Sequence, residues 1–200
     1  MPSLEQIRWA GLAAVLAGAM FIVSDLLDLA TAADGFGVKN LRGETSTTVS
    51  AIQSGLTLFA GLLLLVGLAG LYVRQLEDGG LLGMVGFLVA FCGTVMAVGT
   101  FWADAFVAPS LAPEEPGLLD APPRALAAGF TLSYGSVALG WLLFGWATLR
   151  VGFYPRAAGV LLVIGAALTW LPLPLSGVPF SAAVAWIGYT LFSGRDTSGE

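Results

Sequence analysis

Leu62-Leu63-Leu64-Leu65-Val66-Gly67-Leu68 is almost purely aliphatic, and it sits at the centre of an apolar run from about Val49 to Val73 that ends at Arg74. Crossing a bilayer as a helix takes about 20 predominantly apolar residues. This run is long enough, and its length decides how the rest of the chain is read. Hydrophobic residues make up 57% of the chain and charged residues only 10%, whereas a soluble domain carries about a quarter charged residues. Too few charges remain to coat a water-facing surface. The sequence predicts an all-α, polytopic transmembrane helical bundle forming a single domain over residues 1–200.

Further apolar segments lie on both sides of the first. Upstream is a run from about Trp9 to Ala30. Its rival reading is a signal peptide cleaved at Ala30-Thr31-Ala32. Glu5 opposes Arg8 in the leading region, and Asp25 and Asp28 would precede the cut, so a retained helix fits better. Downstream come segments at about 81–107, 124–149, 156–171 and 178–192. The short turns Arg74–Gly80 and Val151–Pro155 make antiparallel hairpins of their flanking segments. Prolines at 109, 113, 116, 122 and 123 mark an exposed loop, because proline cannot continue a helix. Pro172, Pro174 and Pro179 interrupt the last hairpin, so the count is six spans, or five if the short sixth segment does not cross. The stretch FYPRAAGVLLVIG (Phe153–Gly165) resembles a phrase common in small uncharacterised bacterial polytopic integral membrane proteins. That resemblance implies the membrane fold and no activity.

Lys and Arg near membrane ends stay cytoplasmic. With the N-terminus inside, Arg8, Arg74, Arg150, Arg156 and Arg195 fall inside, and Lys39, Arg42 and Arg124 fall outside. Five against three places both termini on the cytoplasmic face of a cell membrane. Trp9, Tyr72, Trp146, Tyr154 and Tyr189 then mark one interface, and Trp102 and Trp170 the other.

Composition excludes several functions. There is no histidine, which removes His-ligated haem, the usual zinc sites and His general base catalysis. Nucleic acid binding needs clustered basic residues, and the basic residues here are scattered. Cys92 stands alone in an apolar run, so no intrachain disulfide forms, and a small packing residue is the simplest reading of it. No phosphate-binding glycine loop or nucleophile elbow occurs. Asp25-x-x-Asp28 matches only the start of the lipid-phosphoalcohol transferase signature; Leu29 follows where that signature needs glycine. No cofactor is called for, and which metal, if any, the carboxylates would hold is left open.

The polar residues that remain converge on the outer end. Asp25 lies about 24 Å past Trp9 along a helix, within or at the edge of the hydrocarbon, with Asp28 one turn farther on a neighbouring part of the same face. Behind Asp25 lie Gly18, Ala14 and Gly11, and behind Asp104 lie Thr100, Ala97, Gly93 and Ala90. Small residues mark the face where membrane helices approach closely, so both acids should point at protein. Gln53, Thr57, Arg124, Thr131 and Tyr134 emerge on the same side. Ionisable groups at such depths face a bundle interior, a partner or a water-filled cavity. The expected site is an outward-opening acidic pocket of Asp25, Asp28, Asp104, Gln53, Thr100, Arg124 and Tyr134. It would take a small cation, an amine or a lipid headgroup, in a binding or accessory bundle with room for a membrane-protein partner or a second copy. The plainer alternative is interfacial solvation, with carboxylates paired to Arg124 or Arg42. Two further readings are a small transporter coupling through Asp25 and Asp104 and, least favoured, an enzyme using carboxylate acid–base chemistry.

Overall fold

The computed structural model describes residues 4–31, 48–111, 114, 124–171 and 175–194. The described residues are helical, without strands. The helices are α1 (Leu4–Thr31), α2 (Thr48–Arg74), α3 (Gly80–Trp102), α4 (Arg124–Val151), α5 (Arg156–Leu168) and α6 (Val178–Ser193). A π-helical turn at Ala103–Val107 and a last turn at Ala108–Leu111 extend α3. Each boundary follows a local cause. Gly80 and Gly152 adopt positive φ (55° and 70°) in the two short turns, where a side chain would be strained. Pro155 precedes α5. That helix ends at Leu168, three residues short of the expected Leu171.

Four helical stretches are long and apolar enough to cross a membrane: Glu5–Leu29, Val49–Arg74, Gly80–Leu111 and Ala127–Val151. The last two helices, with 13 and 16 residues, are about 20 and 24 Å long. A hydrocarbon core is about 30 Å thick, so length alone carries four of the six expected spans.

The helices form a ring in which each packs on its chain neighbours and α6 closes back on α1. Small residues let the backbones meet. Ala14 of α1 is fully buried between Gly67 of α2 and Gly188 of α6; a Cβ on either glycine would come within 2.8 Å of its own Cβ. Gly11 and Gly18 lie against the backbone of α6. Along α3, Gly83, Gly86, Ala90, Gly93 and Ala97 form a buried stripe facing α4, and Gly140 of α4 approaches the backbone at Ala90. The stripes behind Asp25 and Asp104 do face protein, as expected. They face different neighbours, however: α1 turns its stripe to α6, and α3 turns its stripe to α4. The third segment is a close-packing helix, and Cys92, on its other side, is exposed.

The middle of the ring is filled by large side chains, among them Leu64, Leu68, Trp141, Phe144, Leu162, Phe180 and Ile187. Trp141 stacks edge-on to Phe180, with centroids 5.0 Å apart, and its indole N–H donates to Thr94 Oγ1 at 3.2 Å. Tyr154, expected at an interface, belongs to this core and is almost fully buried.

The two ends of the ring differ in charge. Arg8, Arg74, Arg150 and Arg156 lie at one end with Glu5, Glu77 and Asp78, and Asp25, Asp28 and Asp104 lie toward the other with Arg124; these are called the arginine end and the aspartate end below. At the arginine end, Arg8 Nε donates to the Phe192 carbonyl at 3.2 Å, tying the start of α1 to the end of α6.

Candidate functional site

The aspartate end is built on α1. Pairing of α1 with α2 brings Ser24 to Thr57, with hydroxyl oxygens 2.8 Å apart, and one turn on it brings Asp28 to Gln53, whose side-chain amide donates to the carboxylate. Thr57 has one hydroxyl proton and directs it to the Gln53 carbonyl at 3.0 Å, so Ser24 is the donor to Thr57. Gln53 and Ser24 are buried, and Asp28 is half-buried. The result is a two-step polar ladder along the α1–α2 seam.

Asp25 faces the other neighbour. Its carboxylate lies against Gly177, the residue that opens α6: a Cβ on Gly177 would stand 2.7 Å from Asp25 Oδ2. The start of a helix carries partial positive charge. A carboxylate there is favourably placed, which offsets the unfavourable position of Asp25 near the C-terminal end of α1.

Asp104 belongs to the π-helical turn and is half-buried. Such turns insert a residue into the helical repeat, so the register behind Asp104 does not carry through to it as in a regular helix. Its relation to Asp25 follows from the layer beneath. Phe21 and Phe101 meet edge-to-face at 6.1 Å, and the two aspartates lie three or four residues beyond these rings, on helices that run in the same direction.

The other expected residues are more dispersed. Thr100 is half-buried and returns its hydroxyl proton to the Met96 carbonyl at 3.3 Å. Arg124 is exposed at the start of α4. Tyr134 is 42% exposed on the outside of the ring. Lys39 and Arg42 lie outside the described residues. Among the described residues, no group of three His, Cys, Asp or Glu side chains converges on a metal-sized site. Sequence reasoning passed over Gly177; its position between the Pro172–Pro174 break and α6 was the only signal.

The rim of the ring is uneven at this end. The turn into α6 reaches only to Asp25, while α4 continues about 25 Å from Trp141, level with Phe180, to Arg124. Among the described residues, the α5–α6 hairpin is therefore a low step, with Asp25 and Gly177 at its lip.

No family model, curated protein or solved structure matches the chain.

Proposed function

We propose that the chain is an integral membrane bundle whose six helices enter the bilayer, with both termini cytoplasmic, and that the low step at its outer end binds a small cation or amine. The orientation rests on the four arginines gathered at one end of the ring against Arg124 at the other. The hairpin α5–α6 crosses with help from its flanks and local thinning of the bilayer, which shorter apolar helices commonly impose.

One observation carries the binding reading. Asp25 and Asp28 sit half-buried on adjoining parts of α1 against groups from two different helices, and among the described residues they lie beside the low step. An organic ammonium there would meet carboxylate charge without having to reach the apolar middle of the bundle. Equilibrium binding of a radiolabelled alkylamine to the purified chain in nanodiscs tests this. Saturable binding to the native chain and its loss in Asp25→Asn is the expected result; equal binding to both chains refutes the site.

A transporter reading draws on the Phe21–Phe101 contact, which sets Asp25 and Asp104 in one layer on parallel helices. It requires cation- or pH-driven uptake in proteoliposomes that disappears in Asp25→Asn and Asp104→Asn. Uptake unchanged in both variants removes it.

A further inference from the structure

The outer half of α4 carries an open groove of about 520 Å³, lined by Ala128, Thr131, Leu132, Gly135, Ser136 and Leu139. These positions recur at helical spacing on one face. Among the described residues, α5 stops at Leu168 while α4 continues beyond it. Trp170, just past the end of α5, lies against the groove at Gly135: a Cβ there would stand 3.1 Å from the indole edge. From Ala128 to Leu139 the groove runs about 16 Å along the helix. That is half of a ~30 Å hydrocarbon core, the depth of one leaflet's acyl chains. Its walls are apolar in effect, since Thr131 turns its hydroxyl proton back to the Ala127 carbonyl at 2.9 Å.

Arg124 lies four residues before Ala128, on the same face and at the mouth of the groove. It is exposed, and it precedes the apolar stretch that begins at Ala127, which puts its guanidinium at headgroup level. Among the described residues it is the lone Lys or Arg at that end of the ring. A guanidinium takes two phosphate oxygens in a planar fork.

We infer that this face of α4 seats an anionic phospholipid, with its phosphate on Arg124 and one acyl chain along the groove past Trp170. The inference rests on the membrane reading above and is independent of the amine site. A lipid is the occupant that supplies both chemistries in the right order: charge at the mouth, hydrocarbon for one leaflet below.

The test uses the full chain in vesicles whose lipids carry bromines on the acyl chains, with either a phosphatidylglycerol or a phosphatidylcholine headgroup. The tryptophan quenching that disappears in Trp170→Phe reports the groove. We expect half-maximal quenching of Trp170 at an about five-fold lower mole fraction of the anionic lipid. The preference should vanish in Arg124→Gln and persist in Arg124→Lys. Equal quenching by the two lipids, or a preference untouched by Arg124→Gln, overturns the proposal. So does a Trp170 shielded from both lipids while Ala128→Cys, in a Cys92→Ser background, crosslinks to a second copy; the groove is then a self-interface. If phosphatidylcholine quenches none of the tryptophans, the chain is not in the bilayer and the membrane reading falls with it.

Discussion

Asp25 on α1 meets Gly177 at the start of α6, so close that a methyl group on Gly177 would stand 2.7 Å from the carboxylate oxygen. The backbone of Gly177 is in the right-handed helical region, at φ −77° and ψ −23°, so alanine is acceptable there as backbone. What must give way is a rotatable side chain. Gly177→Ala should therefore change unfolding stability in detergent by less than about 1 kcal/mol, while removing a carboxylate–helix interaction of similar size. Amine binding should weaken several-fold. Native binding in Gly177→Ala would show that the contact is only packing.

The ring depends on glycines that meet backbone and not side chains. A Cβ on Gly86 would lie 2.7 Å from the Phe144 nitrogen, and neither helix can yield without the other moving. Gly86→Ala should cost about 1–3 kcal/mol, the range for forcing extra atoms into a packed interior. Gly99, on the same helix with nothing within 4 Å of its would-be Cβ, gives the control. Gly99→Ala should be neutral or stabilise by up to about 1 kcal/mol through helix propensity. Both shifts are readable from thermal unfolding of the detergent-solubilised chain.

Asp28 and Gln53 should be energetically coupled. A double-mutant cycle with alanine at each position isolates the pair term. Cross-helix hydrogen bonds in membranes average about 0.6 kcal/mol, and an ionised acceptor strengthens them. A coupling above about 0.6 kcal/mol is expected, and zero would mean that the two side chains act separately.

Tyr154 provides a pH signature outside the spanning segments. Burial pushes its hydroxyl well above the ordinary tyrosine value of 10.0, and the charge of Arg74 lowers it by less. In the folded chain the phenol stays neutral while the unfolded chain ionises, so stability holds below about pH 10 and falls as pH rises beyond it. Tyr154→Phe should flatten that alkaline fall relative to the native chain when unfolding is followed between pH 8 and 11. An identical slope in the two chains would place Tyr154 in water.

The helices were legible because lipid and water impose simple patterns. A run such as Leu62–Leu68 has one stable home, and proline, glycine and arginine mark where each run ends. The faces behind Asp25 and Asp104 were legible too, since small residues at helical spacing announce close contact. Which helix each face meets was not. Nothing local in Gly11-x-x-Ala14-x-x-x-Gly18 distinguishes α6 from α3 as the partner. Cys92 and Tyr154 exchanged their expected places for the same reason: inside and outside are defined by neighbours that sequence spacing does not name.

By itself, then, the sequence determined an apolar helical chain, most of its segment ends, and most of its arginines at the end away from Asp25, Asp28 and Asp104, because solvent preference acts residue by residue. Only the tertiary structure decided that α6 closes on α1, that Asp25 takes the start of α6 while Asp28 takes Gln53, and that a short hairpin leaves one side of the rim low. The closure of α6 on α1 depends on backbones approaching across more than 150 residues of chain, where the fit of one small residue against another selects the partner.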